Sequence, residues 1–127
     1  MSSALEVTVA ERHGPIAVLA VEGELDLHNG PLLAGAALEA VGHGYPHVVL
    51  EMSGVPFCDS SGLNALIRLY RRLHAEHGSL TLAAVPGRLE RLLSMTGIDR
   101  LIPARADVPE ALEVVREATG PPGTEAG

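Results

Sequence analysis

Between Val48 and Tyr70 the chain reads VVLEMSGVPFCDSSGLNALIRLY, and two hydrophobic rhythms meet inside it. Val48, Val49 and Leu50 make a short β-favouring run, while Leu63, Leu66, Ile67 and Tyr70 fall at i, i+3, i+4 and i+7, one apolar face of a helix. The segment between them is rich in turn formers and closes on Asp59-Ser60-Ser61-Gly62. Two hydroxyls therefore stand where a helix begins, at the carboxyl end of a strand. Backbone N–H groups and the helix dipole favour negative charge at such a point. A serine there can take a phosphate without unravelling the helix that follows.

The same rhythms organise the rest of the chain. Leu5 to Ala10 alternates apolar and polar residues, Arg12-His13-Gly14-Pro15 signals a turn, and Ile16 to Val21 is a continuous β-favouring run, which predicts an antiparallel hairpin. Gly23-Glu24-Leu25-Asp26 leaves the second strand, and Asn29-Gly30-Pro31 opens a helix that Leu32, Leu33, Ala36, Ala37 and Ala40 carry to Gly42 or Gly44. A strand from His47 to Met52 leads through the central turn to a helix from Ser61 to Ala75, closed by Gly78. Leu80 to Val85 is a third buried strand, and Pro86 starts a helix with Leu89, Leu92 and Leu93 on one face and Thr96-Gly97 at its end. Leu101-Ile102 makes a short strand, and Val108-Pro109 opens a last helix that uses Ala111, Leu112, Val115 and Ala118. Residues 120–127 (GPPGTEAG) lack large apolar side chains and are expected to form a disordered tail. A hairpin followed by alternating helix and strand implies an α/β fold, a mixed, mostly parallel sheet of about five strands covered by about four helices. In such sheets, sites gather outside the carboxyl ends of the strands, which makes neighbours of Gly23 to Asp26 and Phe57 to Gly62.

Length and charge exclude several classes of function. At 127 residues the chain is the size of one domain with its own core. With 46% hydrophobic but 2% aromatic residues, Leu, Val, Ile and Ala must fill that core. A net charge of -7 argues against nucleic acid and against an anionic membrane surface as partners. A single cysteine, Cys58, cannot close an internal disulfide, and Met1 to Val7 lacks the basic start of a signal peptide. With no apolar run near the roughly 18 residues of a membrane span, the expected compartment is the cytoplasm.

Each candidate residue also has a purely structural reading. Asp59, Ser60 and Ser61 are all favoured N-cap residues, and a cap needs no function. Ser61 is the candidate cap that leaves Ser60 exposed. Asp26 serves equally well as a turn or cap before the first long helix, and Gly62 as a point of close packing. Cys58 reads as a small buried hydrophobe rather than a redox group. His43, His47, His74 and His77 are scattered surface positions, with no metal expected. Arg68, Arg71 and Arg72 occupy the polar side of the central helix, as a solvated face or as a surface for a partner. Ser60 as an enzymatic nucleophile would need a base such as His28, and the G-x-S-x-G elbow of α/β hydrolases is absent.

Three features together resemble the STAS-domain anti-sigma factor antagonists of bacterial partner switching. They are Gly23-Glu24-Leu25-Asp26 after the second strand, Phe57-Cys58-Asp59-Ser60-Ser61-Gly62-Leu63 at the central turn, and their spacing. Leu89 to Gly97 (LERLLSMTG) is similar to the family's third helix and the turn after it, so the likeness runs from Leu5 to Thr119 and treats residues 1–119 as one domain. The resemblance implies phosphorylation at Ser60 by an anti-sigma factor that is itself an ATP-dependent serine kinase. The unmodified antagonist binds that factor and frees a sigma factor, the modified one lets go, and a serine phosphatase resets it. Partner contact is implied for Asp26, Asp59, Ser61, Gly62, Glu24 and Asn64, with no cofactor and no catalysis. Asn64 stands where many relatives have a second glycine, and Leu27 and Asn29-Gly30-Pro31 also depart from the commonest form. The alternative is a sensory or scaffolding STAS domain that binds a ligand or another STAS protein without a phosphorylation cycle.

Overall fold

The computed structural model describes residues 4–56 and 58–119; the tail expected at 120–127 lies outside them, as does Phe57. Strands β1 (Leu5–His13) and β2 (Ile16–Gly23) pair antiparallel across a tight turn in which Gly14 takes a φ of +57°. Beyond β2, the strands β3 (His47–Gly54), β4 (Ser79–Ala83) and β5 (Ala104–Arg105) run parallel, so sheet order follows chain order, β1-β2-β3-β4-β5. The helices are α1 (Gly30–Gly42), α2 (Ser60–Ala75), α3 (Gly87–Thr96) and α4 (Val108–Thr119). Right-handed crossovers along a sheet that always steps the same way put α1, α2 and α3 on one face.

Strands β2, β3 and β4 are covered on both faces, which is why successive residues such as Val18 and Leu19, Val49 and Leu50, and Leu82 and Ala83 are all apolar. Leu19, Leu50, Met52 and Leu82 pack with Leu33 of α1, Leu66 of α2 and Leu93 of α3. Their chain neighbours Val18, Val49 and Ala83 turn the other way and meet Ala111, Leu112 and Val115 of α4. Each fully buried leucine contributes roughly 1.5–3 kcal/mol relative to its exposed state. Among the described residues no helix is long and apolar enough to cross a membrane.

The departures from the sequence reading have local causes. Strand β1 does not stop at Ala10, because a bulge between Val9 and Glu11 flips the alternation and the strand continues to His13 along an exposed edge. Strand β4 ends at Ala83, and Ala84 turns the chain with a φ of 56°. Leu101-Ile102 is not a strand. A 3-10 turn at Ile98–Arg100 precedes it, Ile102 is a fully buried anchor, and β5 forms at Ala104–Arg105. A short apolar pair signals burial without specifying extension. In α4, Ala118 is exposed rather than part of the core.

Candidate functional site

Two loops meet at the carboxyl end of the sheet. The β2–α1 loop carries Glu24 to Asn29, the β3–α2 loop carries Val55 to Asp59, and Leu25 pairs with Cys58 in an isolated parallel bridge. Both bridge residues are buried, Leu25 at 0% and Cys58 at 6% exposure. Asp26 and Asp59 follow them directly, one on each loop.

Each aspartate organises its own loop. The Asp59 carboxylate accepts the Gly62 backbone N–H at 2.8 Å and is the N-cap of α2, which therefore begins at Ser60. The cap is thus Asp59, not Ser61, and Ser61 is a half-buried residue of the first turn. An aspartate here both closes the hydrogen bond and adds a favourable charge at the positive end of the dipole. Asp26 Oδ1 accepts from the backbone N–H groups of His28 and Asn29, both at 3.0 Å. Asn29 donates its side-chain amide to the Glu24 carbonyl at 2.7 Å, latching the loop at the mouth of α1.

Gly62 is the contact between the two motifs. A Cβ on it would stand 2.4 Å from the Leu25 carbonyl oxygen and 2.6 Å from Cys58 Sγ. Only a residue without a side chain lets the first turn of α2 rest on the Leu25 backbone. Ser60 points away from this packing and is exposed, as are Asn64 one turn further along α2 and Glu24 in the facing loop. Of the predicted site residues, Glu24, Ser60 and Asn64 are exposed, Asp26, Asp59 and Ser61 are half-buried, and Gly62 is buried beneath them, so the expected surface contact through Gly62 is replaced by a packing role. The Cys58 thiol is pushed up to about 12 by burial and then by the neighbouring Asp59 charge, which holds it protonated. Among the described residues, no three of His, Cys, Asp and Glu converge as metal ligands. His74 stacks on Tyr70, ring centroids 5.6 Å apart.

Two working parts were not singled out in the sequence, the Leu25 carbonyl beneath Gly62 and the Asn29 latch. The first had a signal, since a glycine in the first turn of a helix forfeits helix propensity unless something lies too close for a side chain.

Residues 7–111 match the sequence profile of the STAS domain. The anti-sigma F factor antagonist of Paenibacillus polymyxa is 29% identical over 94 residues, covering 73% of this chain and 80% of that protein. Among solved structures, an anti-sigma factor antagonist from Mycobacterium paratuberculosis superposes with a TM-score of 0.76 at 30% identity, covering 89% of this chain and 95% of that one. The Bacillus cell fate determinant SpoIIAA, solved in its phosphorylated form, shares the fold with a TM-score of 0.65 at 21% identity, covering 87% and 100% of the two chains.

Proposed function

This chain belongs to the STAS-domain family, and on that premise we propose that it is an anti-sigma factor antagonist switched by phosphorylation of Ser60. Unmodified, it binds an anti-sigma factor that is also an ATP-dependent serine kinase and so releases a sigma factor. Phosphorylated, it lets go until a serine phosphatase restores it. The observation that carries this reading is the exposure of Ser60 at the first position of α2, beside a cap that does not use its hydroxyl.

Because Asp59 holds the helix start, a phosphate on Ser60 need not disturb the fold, and the dipole favours it by about 0.3–1 kcal/mol. The docking surface responds differently. Phosphoserine brings about -1.5 to -2 charges to a rim that already holds Glu24, Asp26 and Asp59. Two charges about 8 Å from one partner carboxylate, at an effective dielectric of about 40, cost on the order of 2 kcal/mol. That is a roughly 30-fold loss of affinity before any steric conflict, so no large conformational change is required. Ser61 and Asn64 flank the switch and complete the contact surface, whereas Gly62, buried against Leu25 and Cys58, seats the helix beneath it rather than meeting a partner.

The test is incubation with the anti-sigma factor kinase of the same genome and ATP, followed by mass spectrometry of the peptides. One phosphate on Ser60 is expected, with Ser60→Ala unlabelled yet still bound. Ser60 left clean by a kinase that binds the chain would overturn the proposal.

A further inference from the structure

We propose that the furrow between α1 and α2 docks an acidic segment of the anti-sigma factor, one apolar side chain seated in the furrow and carboxylates meeting Arg68 and Arg72. The inference rests on the antagonist reading and adds a second contact region to it. Pro31, Ala34, Leu38 and Leu69 form an apolar floor, and Arg68 and Arg72 stand at its rim.

Volume decides the kind of occupant. The furrow holds about 200 Å³, below the roughly 300–1,000 Å³ of small-molecule pockets, whereas about 150 Å³ already takes a benzene-sized group. It fits one large apolar side chain of a protein rather than a free ligand.

Charge decides the character of the segment. The chain has no lysine, and α1, α2 and α3 together carry five of its arginines against two glutamates, a net +3 with histidines neutral. The remainder, four arginines against fourteen acidic residues, carries -10. The bodies of the three helices are thus the basic part of an acidic molecule, bounded at the start of α2 by the acidic loop residues Glu24, Asp26 and Asp59. Arg68 makes no ion pair among the described residues, and Arg72 meets Glu76 of its own helix end at 2.9 Å on the exposed surface. Such a pair is worth about 0.3–0.5 kcal/mol, little enough for a partner carboxylate to replace it. A second copy is the poorer occupant. Its acidic side would have to meet this basic side, a head-to-tail contact with no two-fold closure.

Position ties the furrow to the switch. Ser60, Asn64, Arg68 and Arg72 follow at steps of four along the exposed edge of α2. Arg68 lies two turns, about 12 Å, from Ser60. At that separation the effects of changing each residue should add.

The experiment measures the affinity of the full chain for the kinase at low and high salt, comparing wild type, Arg68→Ala, Arg68→Glu/Arg72→Glu and Ser60→Asp. The double reversal should weaken binding by about tenfold and flatten its salt dependence, with an unchanged circular dichroism spectrum. Arg68→Ala should fall between it and wild type, and combination with Ser60→Asp should multiply the losses. Double-reversal binding within twofold of wild type overturns the furrow while leaving the switch standing. Ser60→Asp binding like wild type overturns the switch while leaving the furrow, and a kinase that binds no form removes both. Sedimentation showing that wild type self-associates and the double reversal does not would assign the furrow to a second copy and overturn the proposal.

Discussion

Gly62→Ala should destabilise the fold although alanine is the better helix former. In an open helix the change would gain about 0.5–1 kcal/mol. At Gly62 the new methyl would lie 2.4 Å from the Leu25 carbonyl oxygen and 2.6 Å from Cys58 Sγ. Neither can withdraw easily, because Leu25 and Cys58 are buried and paired with each other. Forcing a methyl into such packing costs about 1–3 kcal/mol, so the net loss should be about 1–2 kcal/mol, a drop in Tm of about 4–8 °C for a domain of this size. Gly35 supplies the control, since a Cβ there meets nothing within 4 Å, and Gly35→Ala should stabilise by about 0.5–1 kcal/mol. Urea and thermal unfolding followed by circular dichroism measure both. Adding Cys58→Ala should recover part of the Gly62→Ala loss relative to the single cysteine variant, because one of the two close contacts disappears. A Gly62→Ala protein as stable as wild type, or more so, would refute the proposed contact between α2 and the Leu25 backbone.

Asp59→Ala should cost about 1 kcal/mol by removing the acceptor of the Gly62 N–H, whereas Asp59→Asn keeps an acceptor and should stay within about 0.5 kcal/mol of wild type; equal losses in urea unfolding would mean that charge rather than the hydrogen bond does the capping. The Cys58 thiol, pushed up to about 12 from 9.0, should react with iodoacetamide at pH 8 far more slowly in the native protein than in urea, and equal rates would contradict its burial. Above about pH 9 the unfolded chain sheds that proton while the folded chain keeps it, so stability should fall as pH rises, with a slope that Cys58→Ala reduces. His47, lowered from 6.5 by burial and bonded through Nδ1 to Ser79 Oγ at 2.8 Å, should act in the opposite direction. As pH falls through 6.5 the unfolded chain takes up a proton that the fold resists, so stability should decline toward acid, and His47→Asn should flatten that decline in pH-dependent denaturation.

The alternation of strands and helices was legible because β2, β3 and β4 each hold a short β-favouring apolar stretch and α2 and α3 repeat with helical period. The far half of β1 was hidden by one extra residue at the bulge, which turns a strand pattern into what reads as a charged turn. Leu101-Ile102 misled because burial and extension leave the same mark in a two-residue window. At the candidate site, the residue types and the meeting of two loops could be read from motif spacing and strand order. The choice of Asp59 over Ser61 as cap could not, since all three polar residues in a row suit that role and only backbone geometry selects one. The α1–α2 furrow was equally invisible, because Ala34 and Leu69 line it from separate stretches of chain that the fold alone brings together.

Every crossover of this sheet passes on the same side, so Ile16, Val18, Val49 and Ala83 on the reverse side have a single cover, α4. That helix leaves the ribosome after all five strands, and a half-made chain presents a bare greasy slab until it docks. Synthesis order therefore sets a window of vulnerability that closes only with the last dozen residues of the domain, and a chain cut short before Val108 should be captured by chaperones or proteases even though its switch loops are already complete.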